Sequence, residues 1–148
     1  MDKGYNQVLW MYGSDDEVTE CGAMNLFFLV EEDGKKVLWT PPLSRGDILP
    51  GVTRDSIIAL CNTWDDVEVR ETFPTMPAIA RASAEGRLLE AFGSGTAAVV
   101  SPIERIGYNG TDLEIPAVGE FTERIWEELN GIYYGEKEGP EGWSVKVE

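Results

Sequence analysis

The chain has 148 residues, 43% hydrophobic and 26% charged, enough for one folded domain with a real core and too few for two catalytic halves. Lys and Arg number 12 against 27 Asp and Glu, a net charge of -15, which argues against nucleic acid and anionic membrane surfaces as partners. Histidine is absent, which removes Ser-His-Asp triads, Cys-His dyads, His-ligated zinc and haem, and every imidazole base.

In chain order, Gln7–Tyr12 is a continuous apolar run ended by Gly13-Ser14-Asp15-Asp16 and predicts a strand buried on both faces. Met24–Val30 leads to the turn Glu32-Asp33-Gly34-Lys35 and resumes as Lys36–Thr40, a β-hairpin. Beyond Pro41-Pro42, the Pro50-Gly51 pair marks a turn. Thr53 or a neighbour then caps a helix on which Ile57, Ile58, Cys61 and Trp64 share a face. Val67–Phe73 predicts a strand, and Thr75–Ala84 a helix opened by Thr75 with Pro77 in its first turn. Leu88–Phe92 and Thr96–Ile106 predict two strands, the second interrupted at Pro102, with Gly93-Ser94-Gly95 as the turn between them. Asn109-Gly110 predicts another hairpin; the sequon Asn109-Gly110-Thr111 is better explained by that turn.

Phe121, Ile125, Leu129 and Ile132 line one face of a final helix ending near Gly135. In the polar tail after it, Trp143, Val145 and Val147 are the candidate anchors. Cys21 and Cys61 read as buried free thiols of a reducing compartment. The opening Met-Asp-Lys-Gly-Tyr-Asn is no signal peptide, and no apolar run approaches the roughly 20 residues of a membrane span. A cytoplasmic location, with the mitochondrial matrix as alternative, is expected. The acidic run Ser14–Glu17 lacks calcium-loop spacing and reads as a solvated turn, so no metal site is expected. The mixture of hairpins and helices predicts a single α/β mixed (α+β) domain over residues 1–148, with one curved sheet rather than a doubly wound parallel one.

Three constellations carry chemistry. In Val18–Asn25 one acid, Glu20, stands at the edge of a small, apolar stretch, where a carboxylate needs a positive or protonated partner unless it is simply a rim acid. Leu49–Arg54 opens a helix, whose first amides and dipole favour an anion unless the segment is a plain capped turn. Phe92–Ala98 is a small-residue loop whose amides and Thr96 hydroxyl suit phosphate or carboxylate; it is no Walker A loop, having no Gly-Lys-Ser/Thr.

In this order the constellations resemble the C-terminal part of branched-chain amino-acid aminotransferases, pyridoxal-phosphate enzymes of fold type IV. The matching stretches are Gln7–Trp10 with Tyr12-Gly13, Thr19-Glu20 with Gly22 and Met24-Asn25, Pro41-Pro42-Leu43 and Ile48–Ser56. They continue with Glu90–Ala97, Ser101-Pro102, Tyr134-Gly135 and Gly142-Trp143. The resemblance implies the large C-terminal domain of that fold, a curved mixed sheet or pseudo-barrel with flanking helices. It implies pyridoxal 5'-phosphate as cofactor and amino-group transfer between leucine, isoleucine or valine and 2-oxoglutarate. By the same resemblance Glu20 bonds the pyridine nitrogen, the Val52 and Thr53 amides and the Thr96 hydroxyl hold the phosphate, and Thr96-Ala97 face the substrate carboxylate.

The resemblance also marks what this stretch lacks. Transamination needs a lysine whose amine is partly desolvated, and none of the five lysines, Lys3, Lys35, Lys36, Lys137 and Lys146, lies in an apolar setting. In the family the Schiff-base lysine lies upstream of the segment matching Gln7–Trp10, as does the small N-terminal domain with its phosphate-binding arginine. No catalytic residue is therefore expected within the chain, which is read as a truncated C-terminal segment inactive alone. Ala23 replaces a threonine common in eukaryotic-type relatives, and Ala98-Val99-Val100-Ser101 lacks the C-x-x-C pair of the mammalian enzymes. The alternative is a non-catalytic binding or regulatory paralogue that associates with a full-length aminotransferase. A D-amino-acid aminotransferase or aminodeoxychorismate lyase ranks third. A homodimer or such an association is expected, with an exposed apolar patch beside Glu20 and Thr96.

Overall fold

The computed structural model describes residues 4–116, 119–145 and 147. Among these residues nine strands and three α-helices, with a 3-10 turn at Leu43–Arg45, follow one another as β1 (Leu9–Tyr12), β2 (Glu17–Cys21), β3 (Met24–Glu32), β4 (Lys35–Thr40), α1 (Val52–Cys61), β5 (Val67–Glu71), α2 (Met76–Ala84), β6 (Leu88–Gly95), β7 (Val99–Pro102), β8 (Arg105–Tyr108), β9 (Thr111–Glu114) and α3 (Glu120–Tyr133). Seven strands form one mixed sheet and β8–β9 a separate hairpin.

The sheet is organised by β3, whose residues Asn25–Val30 are all buried. β6 runs antiparallel along one edge of β3, while β2 and β4 lie end to end along the other, pairing at Met24-Asn25 and at Phe28–Glu32. A continuous apolar run is what a strand covered on both faces requires. Its even-numbered side chains Leu26, Phe28 and Val30 pack with Met76, Ile79 and Ala82 of α2 and with Ile106 of the β8–β9 hairpin. Its odd-numbered Phe27 and Leu29 pack with Ile57 and Leu60 of α1 and Phe121, Ile125 and Leu129 of α3, where Phe27 stacks on Phe92 with ring centroids 5.0 Å apart. The two cysteines fall on opposite faces: both are buried and free, Cys21 among the α2 contacts and Cys61 among those of α1 and α3.

The mixed α/β class with one dominant sheet agrees with the composition of predicted elements, and the β3–β4 hairpin, α2 and the final helix stand where the pattern placed them. The turns Asp33-Gly34 and Asn109-Gly110 carry paired positive φ of 49° and 76°, and 49° and 78°, the backbone that two-residue hairpins favour. Thr75 caps α2, its hydroxyl accepting from the Ala78 amide at 3.2 Å.

Four expectations are corrected or narrowed. The Gln7–Tyr12 run does contain a strand, β1, but Val8, Trp10, Met11 and Tyr12 are 45–58% exposed, because β1 is the outer strand of the sheet rather than an inner one. Gly93-Ser94-Gly95 is not a turn: β6 continues through it, and the reversal falls at Thr96–Ala98. Glycine at 93 answers to close packing, since a Cβ there would lie 2.9 Å from Met24 Cε. Of the cap expected at Thr53 or a neighbour, the position falls to the neighbour Gly51, which supplies no side chain, and Thr53 is buried in the first turn. Of the three candidate anchors in the tail, Trp143 packs on the core, while Val145 and Val147 are exposed.

Candidate functional site

Two polypeptide reversals meet at one end of the sheet. The first is the entry to α1, where Gly51 N–H turns back on Leu49 C=O at 2.8 Å and the Asp55 amide closes the first helical bond onto Gly51 C=O at 3.0 Å. Gly51 offers no capping oxygen, so the first-turn amides of Val52 and Thr53 remain without a side-chain acceptor. The second is the Thr96–Ala98 reversal between β6 and β7, tightened by a Val100 N–H to Ala98 C=O bond of 2.7 Å across Val99. Val99 sits at φ 60°, a backbone region that a β-branched residue enters only under strain.

Between these reversals opens a cleft of about 510 Å³. Val52, Thr53, Thr96, Ala97, Ala98 and Val99 line it from the sheet end, and Trp126, Asn130, Tyr133 and Tyr134 line it from the last turns of α3. Four residues singled out in the sequence, Val52, Thr53, Thr96 and Ala97, therefore share one concave surface although 43 positions separate Thr53 from Thr96. Of this aromatic wall, Tyr134 fell in the matching Tyr134-Gly135 stretch, while Trp126, Asn130 and Tyr133 had only the exposed side of an amphipathic helix as their signal.

Glu20 is not part of the cleft lining. It is half-buried on β2 and is joined to the α1 entry, for its Oε1 accepts from the Leu49 amide at 3.0 Å and from Asn25 Nδ2 at 3.4 Å. Asn25 Nδ2 also donates to Leu49 C=O at 2.8 Å. Glu20, Asn25, Ser94 and Val100 are consecutive partners across β2, β3, β6 and β7, so they form one row across the sheet on the face that carries α1 and α3. Ser94 is 2% exposed, and its Oγ has no hydrogen-bond partner among the described residues. Asn25 and Ser94 were not singled out for a role by the sequence; polar residues inside an apolar strand run were the available signal.

The donor set suits a phosphorylated ligand: uncapped amides at a helix start, a neighbouring hydroxyl and small residues that let backbone approach. Among the described residues no lysine is part of it. Lys35 and Lys36 are exposed at the β3–β4 turn, and Lys137 is exposed and ion-paired with Glu128 at 2.6 Å; Lys3 and Lys146 lie outside the described residues. Among the described residues no cluster of three or more Cys, Asp or Glu is placed to hold a metal ion, and no helix is long and apolar enough to cross a membrane. Burial pushes the Cys61 thiol up to about 12 and Cys21 upward as well, so both are protonated and inert at neutral pH.

The family model for amino-transferase class IV matches residues 1–106. A Dictyostelium discoideum branched-chain-amino-acid aminotransferase is 48% identical over 99% of this chain and 39% of its own length. Among solved structures, the Escherichia coli branched-chain amino acid aminotransferase superposes with a TM-score of 0.70 at 32% identity, covering 95% of this chain and 42% of that one. The branched-chain aminotransferase of Thermobaculum terrenum in its PLP form gives 0.66 at 27% identity, over 90% of this chain and 39% of that one. The 148 residues thus span about two fifths of the relatives they match. On fold, matched span and similarity, the chain belongs to the class IV amino-transferase family.

Proposed function

We propose that these residues form the cofactor- and carboxylate-binding part of a branched-chain amino-acid transaminase, which exchanges an amino group between leucine, isoleucine or valine and 2-oxoglutarate. The observation that carries the reading is the convergence of the uncapped α1 entry and the Thr96-Ala97 reversal on one cleft. The Val52 and Thr53 amides and the Thr96 hydroxyl bind the phosphate of pyridoxal 5'-phosphate, where the α1 dipole adds to the attraction. Ser94 Oγ, in the same row as Glu20 and Asn25, buried and without a partner among the described residues, is a further donor on that face. Glu20, held by Leu49 and Asn25, keeps a proton on the ring nitrogen. The Thr96-Ala97 backbone receives the substrate carboxylate, and the aliphatic side chain finds apolar surface rather than charge. When bound, the cofactor supplies a ring that withdraws electrons from the substrate α-carbon.

The proton shuttle of such a reaction needs a desolvated amine, and Lys35, Lys36 and Lys137 are all exposed to water away from the cleft. None of the three described lysines supplies that amine, so on this reading the described residues bind the cofactor and the amine comes from elsewhere. Relatives named as mitochondrial and as cytosolic forms both match the chain, and either compartment suits the reading.

The test titrates the chain with pyridoxal 5'-phosphate while following tryptophan fluorescence, then reduces with borohydride and maps any modified lysine. Saturable quenching that T96A weakens about tenfold, the worth of one hydrogen bond to a charged group, supports the reading. Covalent labelling of any of the five lysines in the cleft-bound state overturns the account of inactivity, and absence of saturable binding overturns the cofactor site.

A second reading is favoured by the exposed apolar residues Trp10, Met11 and Tyr12 on β1 and Leu49 and Val52 at the α1 entry. It makes the chain a non-catalytic partner that docks on a second copy or on a longer relative. Sedimentation across a hundredfold concentration range would show a self-association constant for the former; a strictly monomeric chain that ignores the longer relative removes both.

A further inference from the structure

Glu20 has a carboxylate oxygen to spare because its other oxygen is already occupied. Oε1 takes the Leu49 amide at 3.0 Å and Asn25 Nδ2 at 3.4 Å. Asn25 then closes a ring: the same Nδ2 donates to the Leu49 carbonyl at 2.8 Å, so both halves of the Leu49 backbone are tied, one to Glu20 and one to Asn25. The orientation of the amide follows from its partners, since two acceptors call for the NH2 end. Its oxygen points the other way, against Gly51, where even a Cβ would come within 2.2 Å of Oδ1.

Asn25 is 6% exposed and stands directly across from Glu20 on the neighbouring strand. It thus touches three things at once: the acid, the chain leading into α1, and the glycine that leaves α1 uncapped. From this geometry we infer that Asn25 is the positioning residue of the site, a buried amide that fixes Glu20 relative to the α1 entry. The inference rests on the reading of Glu20 as the ring-nitrogen partner and of Val52 and Thr53 as the phosphate cradle. A ligand carrying both groups on one rigid ring needs those two anchors at a set separation; a lone phosphate needs only the cradle. Asn25 therefore acts on the first kind of ligand and not the second.

The experiment compares the wild-type chain with N25D, which keeps the shape but replaces the donor by an acceptor, and with N25S, whose short polar side chain stays compatible with β3. Without ligand, hydrogen exchange of the Leu49 amide, normalised to the core amides of Phe28 and Leu29, is expected to accelerate about tenfold in both variants, as the acceptor on Glu20 loses its second donor. With ligand, tryptophan fluorescence gives affinities for pyridoxamine 5'-phosphate, which needs no lysine, and for inorganic phosphate. The first is expected to weaken about tenfold and the second by roughly threefold or less. Unchanged normalised exchange at Leu49, wild-type behaviour of N25D, or equal loss of both ligands overturns the inference. Failure of the wild-type chain to bind pyridoxamine 5'-phosphate instead sinks the proposed cofactor site, while exchange at Leu49 still decides whether Asn25 holds Glu20 in place.

Discussion

Helices α1 and α3 pack side by side on one face of the sheet, and each begins at a glycine that supplies no capping side chain. Their first turns nonetheless differ. At α3 the buried carboxylate of Glu90, reaching over from β6, accepts from the Phe121 amide at 3.1 Å, the Thr122 amide at 2.8 Å and the Thr122 hydroxyl at 2.6 Å. At α1 no carboxylate among the described residues accepts from the first-turn amides, Asp55 being exposed on the helix itself, and the Val52 amide end opens on the cleft. The protein meets the same electrostatic demand internally at one helix and leaves it to a ligand at the other. An uncapped helix start beside a sealed one marks a binding position more sharply than a glycine-rich loop read alone.

The comparison breaks most violently at Glu90. E90A leaves three buried donors without an acceptor and is expected to cost about 3 kcal/mol, a fall of roughly 10 °C in Tm by circular dichroism. E90Q, which keeps one oxygen, should recover part of that loss.

Filling the open end is the next largest effect. G51A drives a Cβ into Asn25 Oδ1, with an expected cost of about 2 kcal/mol in urea unfolding and loss of phosphate-dependent stabilisation. In the wild type, phosphate at ten times its Kd should add about 1.4 kcal/mol.

The far end of α1 is sealed by Cys61, and alkali tests that seal. The unfolded thiol ionises near its ordinary value of about 8.5, whereas the folded one keeps its proton until about 12. Between those values the unfolded chain binds fewer protons, so this group's contribution is full below the lower value and is lost as pH rises, at about 1.4 kcal/mol per unit. Urea unfolding between pH 8 and 10 should show the slope, and C61V should remove the Cys61 share of it while leaving that of Cys21, whose thiol burial also pushes up.

Two smaller effects sharpen the contrast. T75A deletes the only local side-chain cap among the described helices and should cost about 1 kcal/mol while leaving phosphate binding intact. V52D, at a position 82% exposed, adds a second acid to an α1 first turn that already holds Asp55. It should stabilise the chain by about 0.5 kcal/mol and weaken phosphate, opposite signs that calorimetry can separate.

Much of the framework was legible because local rules decide it: Asp33-Gly34 and Asn109-Gly110 demand their turns, and Thr75 with Pro77 announces α2. The residues of the cleft were readable as anion-friendly types, and the resemblance put them in one set. The errors lie where the same residue type serves two purposes. Glycine at 93 makes room for Met24 rather than a bend, and an apolar run such as Val8–Tyr12 specifies a strand without specifying how many neighbours it has. Contacts such as Glu90 to Thr122, 32 positions apart, or Asn25 to Leu49, 24 apart, leave no periodic trace at all.

The single parallel pair in the sheet, β4 beside β5, has a consequence for redesign. Two strands that run the same way cannot be joined by a hairpin, so the chain must travel back along their length between Thr40 and Val67, and α1 is that return leg. Shortening the connection until the strands opposed one another would delete the helix and its anion-binding mouth in one cut. Loop trimming to stabilise this scaffold therefore has to stop short of residues 41–66, however dispensable their exposed portions look.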